Sequence, residues 1–313
     1  MDRNLALEFV RVTEAAAIAA AKWIGKGDGK KADGAAVEAM RTRFNNIEFN
    51  GCIVIGEGKK DEAPELYVGE KLGTGNGPAM DIAVDPLECT DSVAFGRYNA
   101  TTLVTTGPKG SLLSAPDTYM DKIAVGPAAR DVISLEASVA ENIQNVAKAL
   151  GKNVEDVTVS MLDRPRHQQM INEIREAGAR IRLITDGDVA VAVATCQEES
   201  PIDMLLGSGG SAEAVLAAVA MKIMGGQILA RLKPRNDEDR KEMEALGLDD
   251  KTIFTSEDLA KGDNLTFTAT GVIDGPMLPG VIFNPTSILT HSVVMRSKSK
   301  TIRYITTYHH DEA

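Results

Sequence analysis

Aromatic residues make up only 4% of this 313-residue chain, and a single Trp is present. So few rings argue against a base-stacking platform for nucleic acid. Positive charge is also scarce, with 34 Lys and Arg against 45 Asp and Glu and a formal net charge of −11. That balance argues against nucleic acid or an anionic membrane as the main partner. Taken alone, it disfavours any strongly anionic ligand. Cysteine is sparse and unpatterned: Cys52, Cys89 and Cys196 show no Cys-x-x-Cys spacing, and an odd number cannot pair fully within one chain. Unpaired thiols in a reducing cytoplasm are the simple reading. His167, His291, His309 and His310 lack metal-ligand spacing and are read as structural or surface residues. No stretch reaches the roughly 18 uninterrupted apolar residues of a membrane span. Glu8, Arg11 and Glu14 break up the first apolar segment, which therefore does not read as a signal peptide. Repeats and low-complexity linkers are absent as well.

What the chain does have is core material. At 43% hydrophobic and 25% charged, it can bury a large core without disulfide staples. Its length fits one large domain or two smaller ones. Leu5, Phe9, Val12 and Ala16 recur at helical spacing and predict a first helix over about 2–23. Gly25, Gly27 and Gly29 are expected to end it in a loop that also holds Lys26, Lys30 and Lys31. A second helix is expected to start at Asp33 and to bury Val37, Met40 and Phe44. Cys52-Ile53-Val54-Ile55 reads as a buried strand that delivers Glu57, and Met80 to Val84 as one ending on Asp85-Pro86. Thr101 to Thr106 reads as a further strand. Beyond about residue 135, helical stretches (136–150, 167–178, 189–195, 211–224) alternate with strands (157–162, 179–184, 204–206). Such alternation predicts a largely parallel or mixed sheet in a layered α/β fold. Residues 233–250 read as a solvated surface helix and 265–307 as strands and turns. Two α/β halves are expected, 1–155 and 156–313.

The carboxylates fall where ligands gather. Glu57, Asp85 and Glu88 follow buried strands, while Asp33 and Glu213 stand at helix starts, Glu213 just after Gly207-Ser208-Gly209-Gly210. Ligand sites of α/β sheets cluster at strand ends. Acids converging there repel one another unless a cation lies between them. Oxygen-only donors suit Mg²⁺ or Mn²⁺ rather than zinc. For Asp33 and Glu213 a plainer reading stays open, as acids favoured at any helix N-terminus. Arg164 and Arg166, held apart by Pro165, offer rigid forked donors for a phosphate. Their plainer reading is exposed charge at a helix start.

Asp85-Pro86-Leu87-Glu88-Cys89-Thr90 resembles the Asp-Pro-(Ile/Leu)-(Asp/Glu)-Gly-(Thr/Ser) motif of metal-dependent, lithium-sensitive sugar phosphatases. The wider sequence resembles bacterial class II fructose-1,6-bisphosphatases over nearly its whole length. The matching stretches are 5–14, 32–37, 53–58, Asp61-Glu62-Ala63-Pro64, 115–120, Arg164-Pro165-Arg166-His167 and 186–190. The resemblance implies a layered α/β/α/β/α sandwich, with most metal ligands in the N-terminal half. Asp33, Glu57, Asp85, Glu88 and Glu213 are implied ligands for Mn²⁺ or Mg²⁺. Thr90 is implied to activate the attacking water, with Asp61 as its acidic partner. Glu88, Cys89 and Thr90 would cradle the scissile phosphate. Tyr119, Arg164, Pro165 and Arg166 would contact the substrate, and Asp186, Gly187, Asp188 and Gly210 its sugar hydroxyls.

The implied reaction is hydrolysis of the 1-phosphate of fructose 1,6-bisphosphate, in the cytoplasm, by a homo-oligomer (dimer or tetramer). Sedoheptulose 1,7-bisphosphate or another sugar or inositol phosphate stays open as substrate, as does a catalytically weakened sugar-phosphate-binding protein. Bound divalent cations would also remove the objection that net charge raised to an anionic substrate. Three positions depart from the family pattern. Cys89 stands where glycine is usual and is expected to be tolerated on ordinary backbone. Gly29 stands where lysine is usual, so that Lys30 or Lys31 is the candidate to reach the same space. Ser211-Ala212 replaces a small residue followed by proline ahead of Glu213.

Overall fold

A computed structural model describes residues 5–57 and 66–310. The chain divides into two compact units, Met1–Leu112 with Gly262–Ala313, and Leu113–Lys261. The boundary expected between residues 155 and 156 falls inside the second unit, because the tail returns to complete the sheet of the first. In chain order the strands are β1 (Asn50–Ile55), β2 (Lys71–Leu72), β3 (Ala79–Glu88) and β4 (Ala100–Pro108). The second unit contributes β5 (Tyr119–Val125), β6 (Thr158–Leu162), β7 (Arg180–Ile184), β8 (Met204–Gly210), β9 (Gln227–Lys233) and β10 (Ile253–Phe254). The chain then returns with β11 (Thr266–Ile273), β12 (Ile282–Asn284), β13 (Ser287–Arg296) and β14 (Thr301–His309).

Among the described residues, the first unit holds an eight-stranded sheet in the order β12-β13-β11-β4-β3-β1-β2, with β14 on β13. Within that sheet, among the described residues, only β1 and β3 pair in parallel. Helix α1 (Leu5–Ala21) is rich in alanine and buries Phe9, Val12, Ala16 and Ala20 along one stripe. The few aromatic residues are concentrated here: Phe9, Phe44 and Phe49 meet with ring centroids 5.7–6.1 Å apart. Burying each such ring contributes about 1.5–3 kcal/mol. Helix α2 (Gly29–Phe44) begins earlier than expected, because the Asp28 side chain caps it by accepting from the Lys31 N–H at 3.1 Å. Gly29, Lys30 and Lys31 are therefore helical, not loop. Asp33 lies past the first turn, so the capping role is already filled by Asp28.

The second unit carries a six-stranded sheet ordered β10-β9-β5-β8-β6-β7. It is mixed, as expected: β6 runs parallel to β7 and β8, while β5 is antiparallel to both of its neighbours. Strand β5 lies inside this sheet but is not evident in the sequence, because Asp121 and Lys122 interrupt its apolar run. Both sheets are flanked by helices, which gives the layered α/β class expected. The expected surface helix over 233–250 is shorter. Lys233 ends β9, the helix spans Asp237–Ala245, and Asp239 and Met243 are buried within it. No helix among the described residues is long and apolar enough to cross a membrane.

Candidate active site

In the first unit the carboxylates are placed by backbone geometry. The parallel register pairs Ile55 with Ala83, so Glu57 and Asp85, each two residues further on, lie toward the same end of the β1–β3 pair. Residues three apart on a regular strand face opposite ways. Asp85 and Glu88 escape this rule because the β3–β4 register shifts between them. Asp85 pairs with Leu103 and Glu88 with Thr101, so three steps on one strand match two on the other. This bulge, at Pro86-Leu87, turns both acids to one face. Pro86 has no N–H to lose from the ladder, and the displaced Leu87 N–H donates to Asp85 Oδ1 at 3.1 Å. The Thr101 hydroxyl donates to Glu88 Oε2 at 3.0 Å and fixes that side chain.

Past the bulge, Cys89 adopts a left-handed conformation, φ 71° and ψ 48°, immediately before helix α3 (Thr90–Phe95). The expectation of ordinary backbone at Cys89 is therefore wrong. The family glycine suits a positive φ, and here a buried side chain carries the strain. The Asn99 side-chain amide lies 3.7 Å from Cys89 Sγ, and Asn99 is also left-handed, at φ 69°. The Thr90 hydroxyl donates to the Leu87 carbonyl at 3.0 Å. A Cβ on Gly29 would lie 3.0 Å from Thr90 Cγ2, so the first turn of α2 abuts Thr90. Asp33 is one helical turn further along that face. Lys30 is exposed. Asp61 lies outside the described residues.

The donor chemistry of Asp33, Glu57, Asp85 and Glu88 fits a hard divalent cation, since every donor is a carboxylate oxygen. Among the described residues, no group of three or more His, Cys, Asp or Glu side chains is gathered closely enough to hold a metal.

In the second unit the candidate residues are placed by one another. Tyr119 opens β5 opposite Gly210 on one side and Lys233 on the other. Its ring carries two guanidinium groups, Arg166 at 4.5 Å and Arg235 at 5.4 Å from the centroid. Arg166 donates through Nε and Nη2 to the Ser208 carbonyl, at 3.2 and 2.8 Å. Arg164 reaches Asp186 Oδ1 with Nη2 at 2.6 Å and the Asp163 carbonyl with Nη1 at 3.0 Å. Between them, Pro165 opens a short 3-10 turn that sets the two side chains apart. These arginines are engaged by named partners and are not free helix-start charge.

His167, next in the chain, is buried. Its Nδ1 meets the Leu162 carbonyl at 2.7 Å and its Nε2 accepts from the Ser208 N–H at 2.9 Å. Burial lowers its pKa, and the neutral ring is the form that can accept from Ser208. This is the structural role expected. Gly187, at φ 88°, turns the chain into a short buried helix that opens on Asp188. Asp188 is ion-paired at 2.6 Å with Lys122, and both are almost fully buried. Glu213, in the first turn of the helix Ser211–Met224, folds back over Gly210, where an added Cβ would lie 2.0 Å from Glu213 Oε2. Burial pushes its carboxyl pKa up. Lys122 opposes that rise and Asp188 adds to it. Ser211, in place of the family's usual pattern, ties the helix start to the Pro116 carbonyl through its hydroxyl at 2.5 Å.

Sequence reasoning missed Thr101, Lys122 and Arg235. Nothing local marks Thr101, whose partner is set by sheet register, whereas Arg235 pairs with Asp239 four residues on and reaches Tyr119 only through long-range packing. Lys122 did leave a signal, as a lysine beside Ile123-Ala124-Val125.

The fold defines a layered α/β protein, and the carboxylate oxygens of its first unit are donors of the type that suits a hard divalent cation. The chain belongs to the family described as bacterial fructose-1,6-bisphosphatase, glpX-encoded, whose profile matches residues 3–309. It is 45% identical over 323 aligned residues to fructose-1,6-bisphosphatase 1 class 2 of Escherichia coli K12, covering 99% of this chain and 96% of that one. The class 2 fructose-1,6-bisphosphatase of Shigella flexneri matches with the same identity and coverage. A solved structure, an extragenic suppressor from Pyrococcus furiosus, is 14% identical with a TM-score of 0.28, over 56% of this chain and 63% of its own. So slight a likeness carries no argument.

Proposed function

We propose that this chain is a metal-dependent phosphatase that converts fructose 1,6-bisphosphate and water to fructose 6-phosphate and phosphate, in gluconeogenesis. Family membership supports the reaction. The observation that carries the site is the bulge in β3, which turns Asp85 and Glu88 to one face directly ahead of the Cys89-Thr90 turn.

Asp33, Glu57, Asp85 and Glu88, in the first unit, and Glu213, in the second, are each proposed as ligands of Mn²⁺ or Mg²⁺. A divalent cation supplies positive charge to the phosphate oxygens and acidity to water. Thr90 orients the nucleophile. Its hydroxyl proton is committed to the Leu87 carbonyl, so its oxygen lone pairs are left to accept from a water. Asp61 is the proposed acceptor of that water's proton. Glu88, Cys89 and Thr90 are proposed to surround the scissile phosphate, with Lys30 the candidate to take the place of the family lysine. In the second unit, Tyr119, Arg164, Pro165 and Arg166 are the proposed contacts to a substrate phosphate, and Asp186, Gly187, Asp188 and Gly210 those to sugar hydroxyls. Free arginine donors remain for this role, because Arg164 and Arg166 each spend only part of their five N–H groups on the protein.

We place the enzyme in the cytoplasm, in keeping with three cysteines that form no disulfide. It is proposed to act as a homo-oligomer, a reading supported by the exposed Ile302, Tyr304 and Tyr308 on β14. The experiment is phosphate release by the purified protein with Mn²⁺ or Mg²⁺ across a panel of sugar phosphates. Turnover of fructose 1,6-bisphosphate well above that of monophosphates is expected. Binding without turnover of any substrate overturns the enzyme reading.

A further inference from the structure

Lys122 is 3% exposed and sits on β5, inside the second sheet. A buried ammonium is tolerated only when it is paired and its protons are accepted. Lys122 meets both conditions across three separate elements. Nζ is 2.6 Å from Asp188 Oδ2, on the first residue of the short helix after Gly187. Nζ also donates to the Gly210 carbonyl at 2.9 Å, on the last residue of β8.

The neighbouring backbone is cleared for this contact. A Cβ on Gly209 would lie 2.5 Å from Asp188 Oδ2 and 2.9 Å from Lys122 Nζ. Three residues back along the same strand, Tyr119 is in register with Gly210. One ammonium therefore ties together the strand bearing Tyr119, the helix start at Asp188 and the end of β8 at Gly210.

We propose that Lys122 is a positioning residue for sugar-phosphate recognition, holding the Asp188 carboxylate and the Gly210 backbone in the arrangement that receives the substrate. This rests on the reading of Asp188 and Gly210 as substrate contacts. Lys122 does not touch the reacting atoms. It fixes the χ angles of Asp188 and prevents the Gly209-Gly210 backbone from turning its carbonyl toward the ligand.

The test compares wild type with Lys122→Met and Lys122→Arg. Binding of fructose 6-phosphate to metal-free protein is measured by calorimetry, and turnover of fructose 1,6-bisphosphate is measured with Mn²⁺. For Lys122→Met, binding of fructose 6-phosphate weakens and KM rises by about tenfold or more, while kcat falls by less than about threefold. Lys122→Arg, which keeps charge and donors, recovers part of the binding loss. A purely structural lysine gives another pattern: less folded protein and a proportionate fall in apparent kcat, with KM and fructose 6-phosphate affinity unchanged. That result overturns the proposal. Should Lys122→Met not fold, Lys122→Gln keeps a donor for Gly210 and is judged by the same criteria. Failure of the functional reading is distinct, because wild type would then neither turn over fructose 1,6-bisphosphate nor bind fructose 6-phosphate, and the proposal would fall with it.

Discussion

The first unit has ion pairs of its own, such as Arg41 with Glu70, but the contacts that orient the candidate site residues differ between the two units. In the first, Asp85 and Glu88 are oriented by a bulge, a backbone N–H and a hydroxyl. Such donors steer a carboxylate without cancelling its charge. In the second, position comes from opposite charges: Arg164 with Asp186, Lys122 with Asp188, Lys233 with Asp121 and Arg235 with Asp239. An acid held by backbone geometry keeps its charge available for a cation. An acid held by a basic side chain is electrically answered and serves as a hydrogen-bond acceptor. The first arrangement suits the chemical step and the second suits recognition of an uncharged sugar.

The sharpest way to break this contrast is Asp85→Asn, which is nearly isosteric and removes one charge. If Asp85 serves chemistry, turnover falls by about 10²–10³-fold, the loss typical of one electrostatic contact in a reacting site. The melting temperature should change little by comparison, since asparagine keeps the side-chain oxygen that accepts from the Leu87 N–H. Phosphate release and thermal unfolding of the same sample check both. A large loss of stability with modest loss of rate would place Asp85 with the structural acids.

Thr101→Val asks a narrower question. It keeps shape but removes the hydroxyl that orients Glu88. A hydrogen bond to a charged group contributes about 1.5–3 kcal/mol, so the Mn²⁺ concentration for half-maximal activity should rise about tenfold or more. An unchanged metal requirement would mean that the Thr101 hydroxyl is not what positions Glu88.

The contrast also explains what could be read without coordinates. Two of the first unit's acids, Asp85 and Glu88, lie close together along the chain, and Asp85-Pro86-Leu87-Glu88 contains its own bulge-former in Pro86. The left-handed turn at Cys89 was legible only through the family's glycine, and the chain's cysteine concealed it. The second unit joins residue 122 to 188 and 210, and 119 to 166 and 235. No local pattern encodes such pairs, because they depend on which strands are neighbours. The strand that carries both Tyr119 and Lys122 was missed for the same physical reason that makes it interesting. A charge at an interior position breaks the apolar pattern that marks a strand.

Asp239 tests charge pairing as a positional device. The Arg235 guanidinium holds its carboxyl pKa well below the usual carboxylate range, and the Thr118 hydroxyl bonds it at 2.6 Å. A depressed pKa means stability that is present above the unfolded value, about 3.9, and is lost as pH falls below it. Asp239→Asn should therefore lower the melting temperature by about 4 °C at pH 7. The gap from wild type should close as pH drops below about 4. A gap constant across that range would show that packing, not charge, is what Asp239 supplies.

The smallest effect concerns a device both units share. Each turns its chain through a left-handed residue into a short helix, Cys89 at φ 71° before α3 and Gly187 at φ 88° before Asp188–Ala194. Only the first carries a side chain there, at a cost of about 1–2 kcal/mol. Cys89→Gly relieves that cost and adds back part of it as unfolded-chain entropy, about 0.5–1 kcal/mol. The net expectation is a gain of roughly 0.5–1 kcal/mol, or about 2 °C in melting temperature, with turnover retained or raised. Cys89→Ala keeps the strain and should show no gain. The reciprocal change, Gly187→Ala, should cost about 1–2 kcal/mol by the same logic. If Cys89→Gly destabilised the protein, the packing of the buried thiol and its contact with Asn99 would outweigh the backbone strain, and the two turns would be alike only in geometry.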